Sequence, residues 1–148
     1  MEVSTYACLP FKFEAGTPDI AGIIGLGAAV DFINSIGMQT IHDYEKELVD
    51  YTIQRLSEFD EVEIYAKDAE HSGAVSFNLK FDGVHSSDVG MILDKKGIAV
   101  RTGHHCAQPI MQHFNIPGTV RASFAVYNTK EEIDTFIEGL KTAIRMLG

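Results

Sequence analysis

The sequence predicts an α+β domain: a small, mainly antiparallel sheet with helices on one face. Three observations carry this. The apolar period shortens from helical spacing to two near residue 62, and helical spacing returns after residue 129. The strand-like runs are short and joined by turn signals, among them His71-Ser72-Gly73, Asp82-Gly83 and Asn115-Ile116-Pro117-Gly118. The order reads two helices, then β-β-α-β-β-α, with no internal repeat and no low-complexity tract.

Composition sets the outer bounds. A chain of 148 residues, 45% hydrophobic and 22% charged, is large enough for one domain with a real core. The net charge of −9, without a basic cluster, argues against nucleic-acid binding by phosphate neutralisation. No apolar run reaches membrane-spanning length and no secretory pattern opens the chain, so no membrane partner is expected. Two cysteines, Cys8 and Cys106, make no disulfide framework, and a reducing cytoplasmic setting is the expectation.

In chain order, residues 1–16 read as an extended arm, whose Phe11 and Phe13 could pin it to a partner or to the core. Gly16-Thr17-Pro18-Asp19 opens a helix to about Ser35, with Thr17 as N-cap and Pro18 in the first position. Capping alone explains Gly16 and Thr17; the sharper alternative is a phosphate held on free backbone N–H groups. This helix is Ile-, Ala- and Gly-rich and reads as buried on most sides, against another chain in one reading. Gly37 stops it. A second helix runs from Thr40 to about Glu58 on a stripe of Ile41, Tyr44, Leu48, Tyr51 and Leu56. Strands follow at 62–65 and 74–79. Ser86 or Ser87 caps a short helix carrying Val89, Ile92 and Leu93, which Gly97 ends. A strand at 98–101 and a last strand at 120–126 complete the sheet. Thr129 and Glu132 form a capping box for a closing amphipathic helix.

Chemistry concentrates between the last two strands. Arg101-Thr102-Gly103-His104-His105-Cys106-Ala107 puts a thiol, two imidazoles and a guanidinium in one loop, ahead of a short helical turn at 107–112. Nearby cations and a helix N-terminus favour the thiolate, the reactive form of cysteine. The plainer alternative is a small buried apolar Cys106, with His104 and His105 as turn residues. A zinc module of His104, His105, Cys106 and His113 has poor ligand spacing, and no metal is expected.

The stretch Arg101 to Ala107 resembles the active-cysteine loop of group II (SufS-type) cysteine desulfurases, in the class V aminotransferase-like group. Phe13-Glu14-Ala15-Gly16-Thr17-Pro18, Val120-Arg121-Ala122-Ser123 and Tyr127-Asn128-Thr129-Lys130-Glu131-Glu132 agree in order and spacing. The resemblance runs from about Phe11 to Leu147. It implies the C-terminal domain of a fold type I pyridoxal-phosphate enzyme, working as a homodimer. In that pattern Cys106 takes sulfur from L-cysteine as a persulfide, leaves L-alanine, and passes the sulfur to an acceptor protein serving iron–sulfur cluster assembly. Arg121 binds the substrate carboxylate. Gly16 and Thr17 reach the cofactor phosphate of the neighbouring subunit. Arg101, Gly103, His104 and His105 shape the loop. The family's cofactor-holding lysine lies on a large domain ahead of these stretches, and none of this chain's eight lysines has its Ser-x-His context. Residues 17–148 are therefore expected to form the small domain with its connecting helix, inactive alone. Selenocysteine lyase activity and a non-catalytic dimerisation role are the alternatives.

Overall fold

The computed structural model describes residues 5–148; the first four residues of the predicted arm lie outside the described residues. The chain divides into two compact units, one ending at Met38 and one spanning Gln39–Gly148.

The first unit holds a 3-10 turn, Phe11–Phe13, and helix α1, Ile20–Ile36. Phe11 and Phe13 are exposed, so neither pins the arm to the core. The N-cap of α1 is Asp19, not Thr17: the Asp19 carboxylate accepts the Gly22 N–H at 2.9 Å. Pro18 explains the shift. Its carbonyl accepts the Ile20 N–H, so the turn tightens after Pro18 and helical hydrogen bonding starts two residues later than Pro18 itself. Gly37 ends the helix at φ 94°, where a side chain would be strained, and its N–H bonds the Ile33 carbonyl. Within this chain the helix is not covered. No residue of α1 is buried, and Ile20, Ile23, Ile24, Leu26 and Phe32 are all exposed. An all-round apolar helix has no polar face to turn outward, so its sequence cannot say what covers it. No single helix among the described residues is long and apolar enough to cross a membrane.

The second unit is the α+β body. It contains α2 (Met38–Leu56), β1 (Val62–Ile64), β2 (Ala74–Leu79), α3 (Ser86–Asp94), β3 (Arg101–Gly103), α4 (Gln108–Phe114), β4 (Thr119–Ser123) and α5 (Lys130–Leu147). The strands form one sheet in the order β1-β2-β4-β3, every neighbour antiparallel. Alternation divides it cleanly. Val62, Val75, Phe77, Leu79, Val120 and Ala122 point to one face and are buried against α2, α3 and α5. Leu48, Val49 and Leu56 of α2, Val89 and Leu93 of α3, and Ile133, Ile137 and Leu140 of α5 close this core. Phe77 and Phe136 meet with tilted rings 5.8 Å apart. Tyr44 donates to the Asn128 carbonyl and Tyr51 to Asp134, which ties α2 to the start of α5. The Thr129–Glu132 capping box is formed.

Several boundaries differ from the sequence reading. His85, rather than Ser86 or Ser87, occupies the cap position of α3, because Asp88 reaches back to accept the His85 N–H at 2.9 Å. Strand β3 covers Arg101–Gly103, not 98–101. It pairs with Thr119, Val120 and Arg121 of β4, and the pairing does not extend back to residues 98–100. The last strand ends at Ser123, three residues short of Val126, although the Phe124 N–H still bonds the Gly73 carbonyl at 2.7 Å in the β2–β4 register.

Candidate active site

The face of the sheet away from the core carries polar and small residues. Ala74, Ser76 and Asn78 of β2 lie beside Thr119, Arg121 and Ser123 of β4, with Arg101 and Gly103 of β3 beyond. Short helix α4 lies over this face and encloses a cavity of about 350 Å³. Its lining includes Ser76, His71, His105, Met111, Phe114 and Arg121.

Arg101 and Arg121 are directly opposed in the β3–β4 register. Side chains of such a pair share a face and lie close, and like charges there repel unless something anionic joins them. Each has a partial answer. The Arg121 Nε donates to the Ser123 hydroxyl at 3.1 Å. The Arg101 Nη2 donates to the Cys106 sulfur at 3.5 Å. The cysteine is exposed, which removes the buried-apolar reading, and a guanidinium places positive charge beside its sulfur.

Because β3 runs to Gly103, the loop proper shrinks to His104-His105-Cys106-Ala107. The Ala107 N–H bonds the His104 carbonyl at 2.8 Å, closing a four-residue turn. His105 and Cys106 both have left-handed backbone, at φ 54° and 60°. Two left-handed central residues define a type I′ turn, which strongly favours Asn-Gly. His-Cys in that position stores strain of the kind found at functional sites. The cysteine precedes α4, whose N-cap is Ala107.

His105 is anchored inward. Its Nε2 lies 3.1 Å from the Thr119 carbonyl and 2.9 Å from the Thr119 hydroxyl. Burial holds this imidazole below the usual histidine range; the Thr119 carbonyl opposes that, and Arg121, Arg101 and His104 add to it. Its Nδ1 is buried without a hydrogen-bond partner, as is the Nε2 of His71 on the same cavity. His104 is exposed. Gly103, at φ 107°, lies against Gly118, where an added Cβ would come within 2.9 Å of the Gly103 carbonyl carbon.

The second unit thus gathers Cys106, Arg101, Arg121, Gly103 and His105 around one strand end, with His104 on the same turn. Gly16 and Thr17 belong to the first unit, where both are exposed ahead of α1. Sequence reasoning missed Thr119, Asn78 and His71, which carry no motif. The register of β4 against its neighbours was the only available signal. Among the described residues, no three His, Cys, Asp or Glu side chains converge as metal ligands would.

Comparison with known proteins places this geometry. Residues 1–136 match the family model described as aminotransferase class-V. The chain belongs to the aminotransferase class-V family. Among curated members of that likeness, a cysteine desulfurase of Serratia proteamaculans is 46% identical over 98% of the chain and 35% of its own length. One from Cronobacter sakazakii is 47% identical over 99% of the chain and 36% of its own length. Of solved structures, the apo cysteine desulfurase of Thermococcus onnurineus superposes with a TM-score of 0.83 at 46% identity, covering 93% of this chain and 34% of that one. An S-sulfonic acid form of a cysteine desulfurase from Escherichia coli gives 0.87 at 34% identity, covering 100% and 37%. This class-V chain therefore spans about a third of the length of the relatives it matches.

The class implies pyridoxal phosphate. The residues present fit its anionic surroundings and not its covalent anchor. Guanidiniums and exposed backbone at Gly16 and Thr17 suit phosphate and carboxylate groups. No lysine lines the cavity beside Arg121, so it offers no amine for a Schiff base.

Proposed function

We propose that this chain is the thiol-bearing part of a pyridoxal-phosphate-dependent cysteine desulfurase that converts L-cysteine to L-alanine. The observation that carries the reading is an exposed cysteine on a strained turn, its sulfur on a guanidinium directly opposed to a second one.

The coenzyme, when bound, supplies the electron withdrawal that weakens the substrate carbon–sulfur bond. This chain supplies the nucleophile and the grip on the substrate carboxylate. Arg121 grips the substrate carboxylate, for which a planar guanidinium is suited. That contact also relieves the Arg101–Arg121 repulsion. The Cys106 thiolate forms a bond to the substrate sulfur as the carbon–sulfur bond breaks. The released electron pair stays with carbon and takes up a proton, giving L-alanine, while Cys106 keeps the sulfur as a persulfide. A thiol of an acceptor protein then takes the terminal sulfur and regenerates Cys106. Exposure on a turn suits this second encounter. The resemblance extends the reading to a cytoplasmic homodimer supplying iron–sulfur cluster assembly, with Gly16 and Thr17 on the cofactor phosphate; the exposed apolar surface of α1 supports an association of that kind.

The test is alanine release from L-cysteine with pyridoxal phosphate. The chain alone should release none. A chimera in which it replaces the matching third of the Serratia proteamaculans relative should release alanine, and Cys106→Ser should abolish this. Undiminished release by Cys106→Ser would refute the reading.

A further inference from the structure

The turn that presents Cys106 needs something to hold it. Both central residues are left-handed, neither is glycine, and a single backbone hydrogen bond closes it. A substituent on Cβ makes that region costly, so the turn would relax unless the surroundings fix it. Besides the long Cys106–Arg101 contact, the side chain that ties the turn to the body is His105, whose Nε2 meets both oxygens of Thr119.

Thr119 is itself immobilised. It is 2% exposed and pairs with Gly103 in the β3–β4 register. Its neighbour Gly118 packs against the Gly103 backbone, and the Gly118 carbonyl accepts a hydrogen bond from the Asn78 amide at 2.8 Å. The anchor point is therefore held from both flanking strands. The carbonyl at Nε2 favours one tautomer, with the Thr119 hydroxyl able to donate or accept. A carbonyl can only accept, so Nε2 carries the proton and Nδ1 is left bare. Nδ1 is also the buried, unpartnered nitrogen, so a second proton there would be enclosed with no acceptor.

We infer that His105 is a positioning residue: an Nε2–H clamp on Thr119 that locks the strained turn and so keeps the Cys106 sulfur on Arg101. This rests on the proposed role of Cys106 for its purpose, but the clamp is measurable without turnover. The small number of tethers also explains how the sulfur could be released toward an acceptor: opening the His105 clamp loosens the turn and with it the long Arg101 contact.

The experiment uses the folded 148-residue chain carrying Cys8→Ser, with His105→Ala and His105→Gln compared against it. Glutamine keeps an N–H donor at about the reach of Nε2. Three readouts apply: ring tautomer by nitrogen NMR, exchange of the Ala107 amide, and alkylation of Cys106 by iodoacetamide. The clamp requires the Nε2–H tautomer. His105→Ala should speed Ala107 exchange about ten-fold, the loss of one hydrogen bond, without changing exchange in α5. It should slow Cys106 alkylation several-fold, and His105→Gln should restore most of both. An Nδ1–H tautomer, an Ala variant exchanging like the parent, or a Gln variant indistinguishable from Ala would each overturn the clamp. None of these results depends on whether cysteine is the substrate.

Discussion

The two faces of the sheet are built from the same strands and put to opposite uses. On the inner face Val75, Phe77, Val120 and Ala122 are buried under α2, α3 and α5 in a largely apolar core. On the outer face the intervening residues Ser76, Asn78, Thr119 and Arg121 hold hydrogen bonds, charge and a cavity under one short helix. The inner face supplies stability. The outer face carries features that lower it: opposed guanidiniums, left-handed non-glycine residues and unpartnered imidazole nitrogens. A two-residue period lets one strand serve both ends, so chemistry costs the core nothing.

The largest effect that could break this division is truncation on each face. Phe77→Ala should destabilise the domain by about 3–5 kcal/mol, since it empties a fully buried ring site against Phe136. Arg121→Ala, one strand across and on the other face, should change stability by no more than about 0.5 kcal/mol. Urea unfolding of both variants decides it; equal losses would dissolve the distinction.

A smaller effect sharpens the outer face. Gly118→Ala pushes a methyl into the Gly103 backbone, which cannot rotate away as a side chain would, and should cost about 1–3 kcal/mol by thermal unfolding. Smaller still, Thr129→Ala removes a cap from the helix that closes the inner face, and should cost about 1 kcal/mol while leaving Cys106 alkylation unchanged.

The gentlest probe is pH. The folded state holds His105 below the ordinary histidine value, so below that value the unfolded chain binds more protons. Stability from this group is present above the unfolded pKa and drains away as pH falls through it toward the lower folded value. His105→Gln should flatten that part of the stability curve measured between about pH 7 and 5, the span below the unfolded histidine pKa. An unchanged slope would place the acid sensitivity elsewhere.

The inner face was legible in the sequence because burial imposes a period. Ala74 to Leu79 alternates without interruption and became β2 with those limits. Thr129 and Glu132 announced the start of α5 through spacing alone. The residues of the site were also legible, since Arg, His and Cys are rare together. Their arrangement was not. The limits of β3 are set by its pairing with Thr119, Val120 and Arg121 of β4, a partner that the local sequence does not announce. The left-handed turn at His105 and Cys106 gave no signal because the residues that normally announce one, Asn and Gly, are missing. Asp19 and His85 displaced the expected caps because capping oxygen atoms compete within a few residues, and only the folded turn chooses among them.

The most direct test of the central claim is where sulfur comes to rest. The chimera with the Serratia proteamaculans relative is given L-cysteine without an acceptor, alkylated and digested, and its peptides are weighed. The account expects one added sulfur atom on the peptide containing Cys106, with Cys8, also exposed, unmodified. Sulfur on Cys8, or alanine released with Cys106 still a plain thiol, would contradict it.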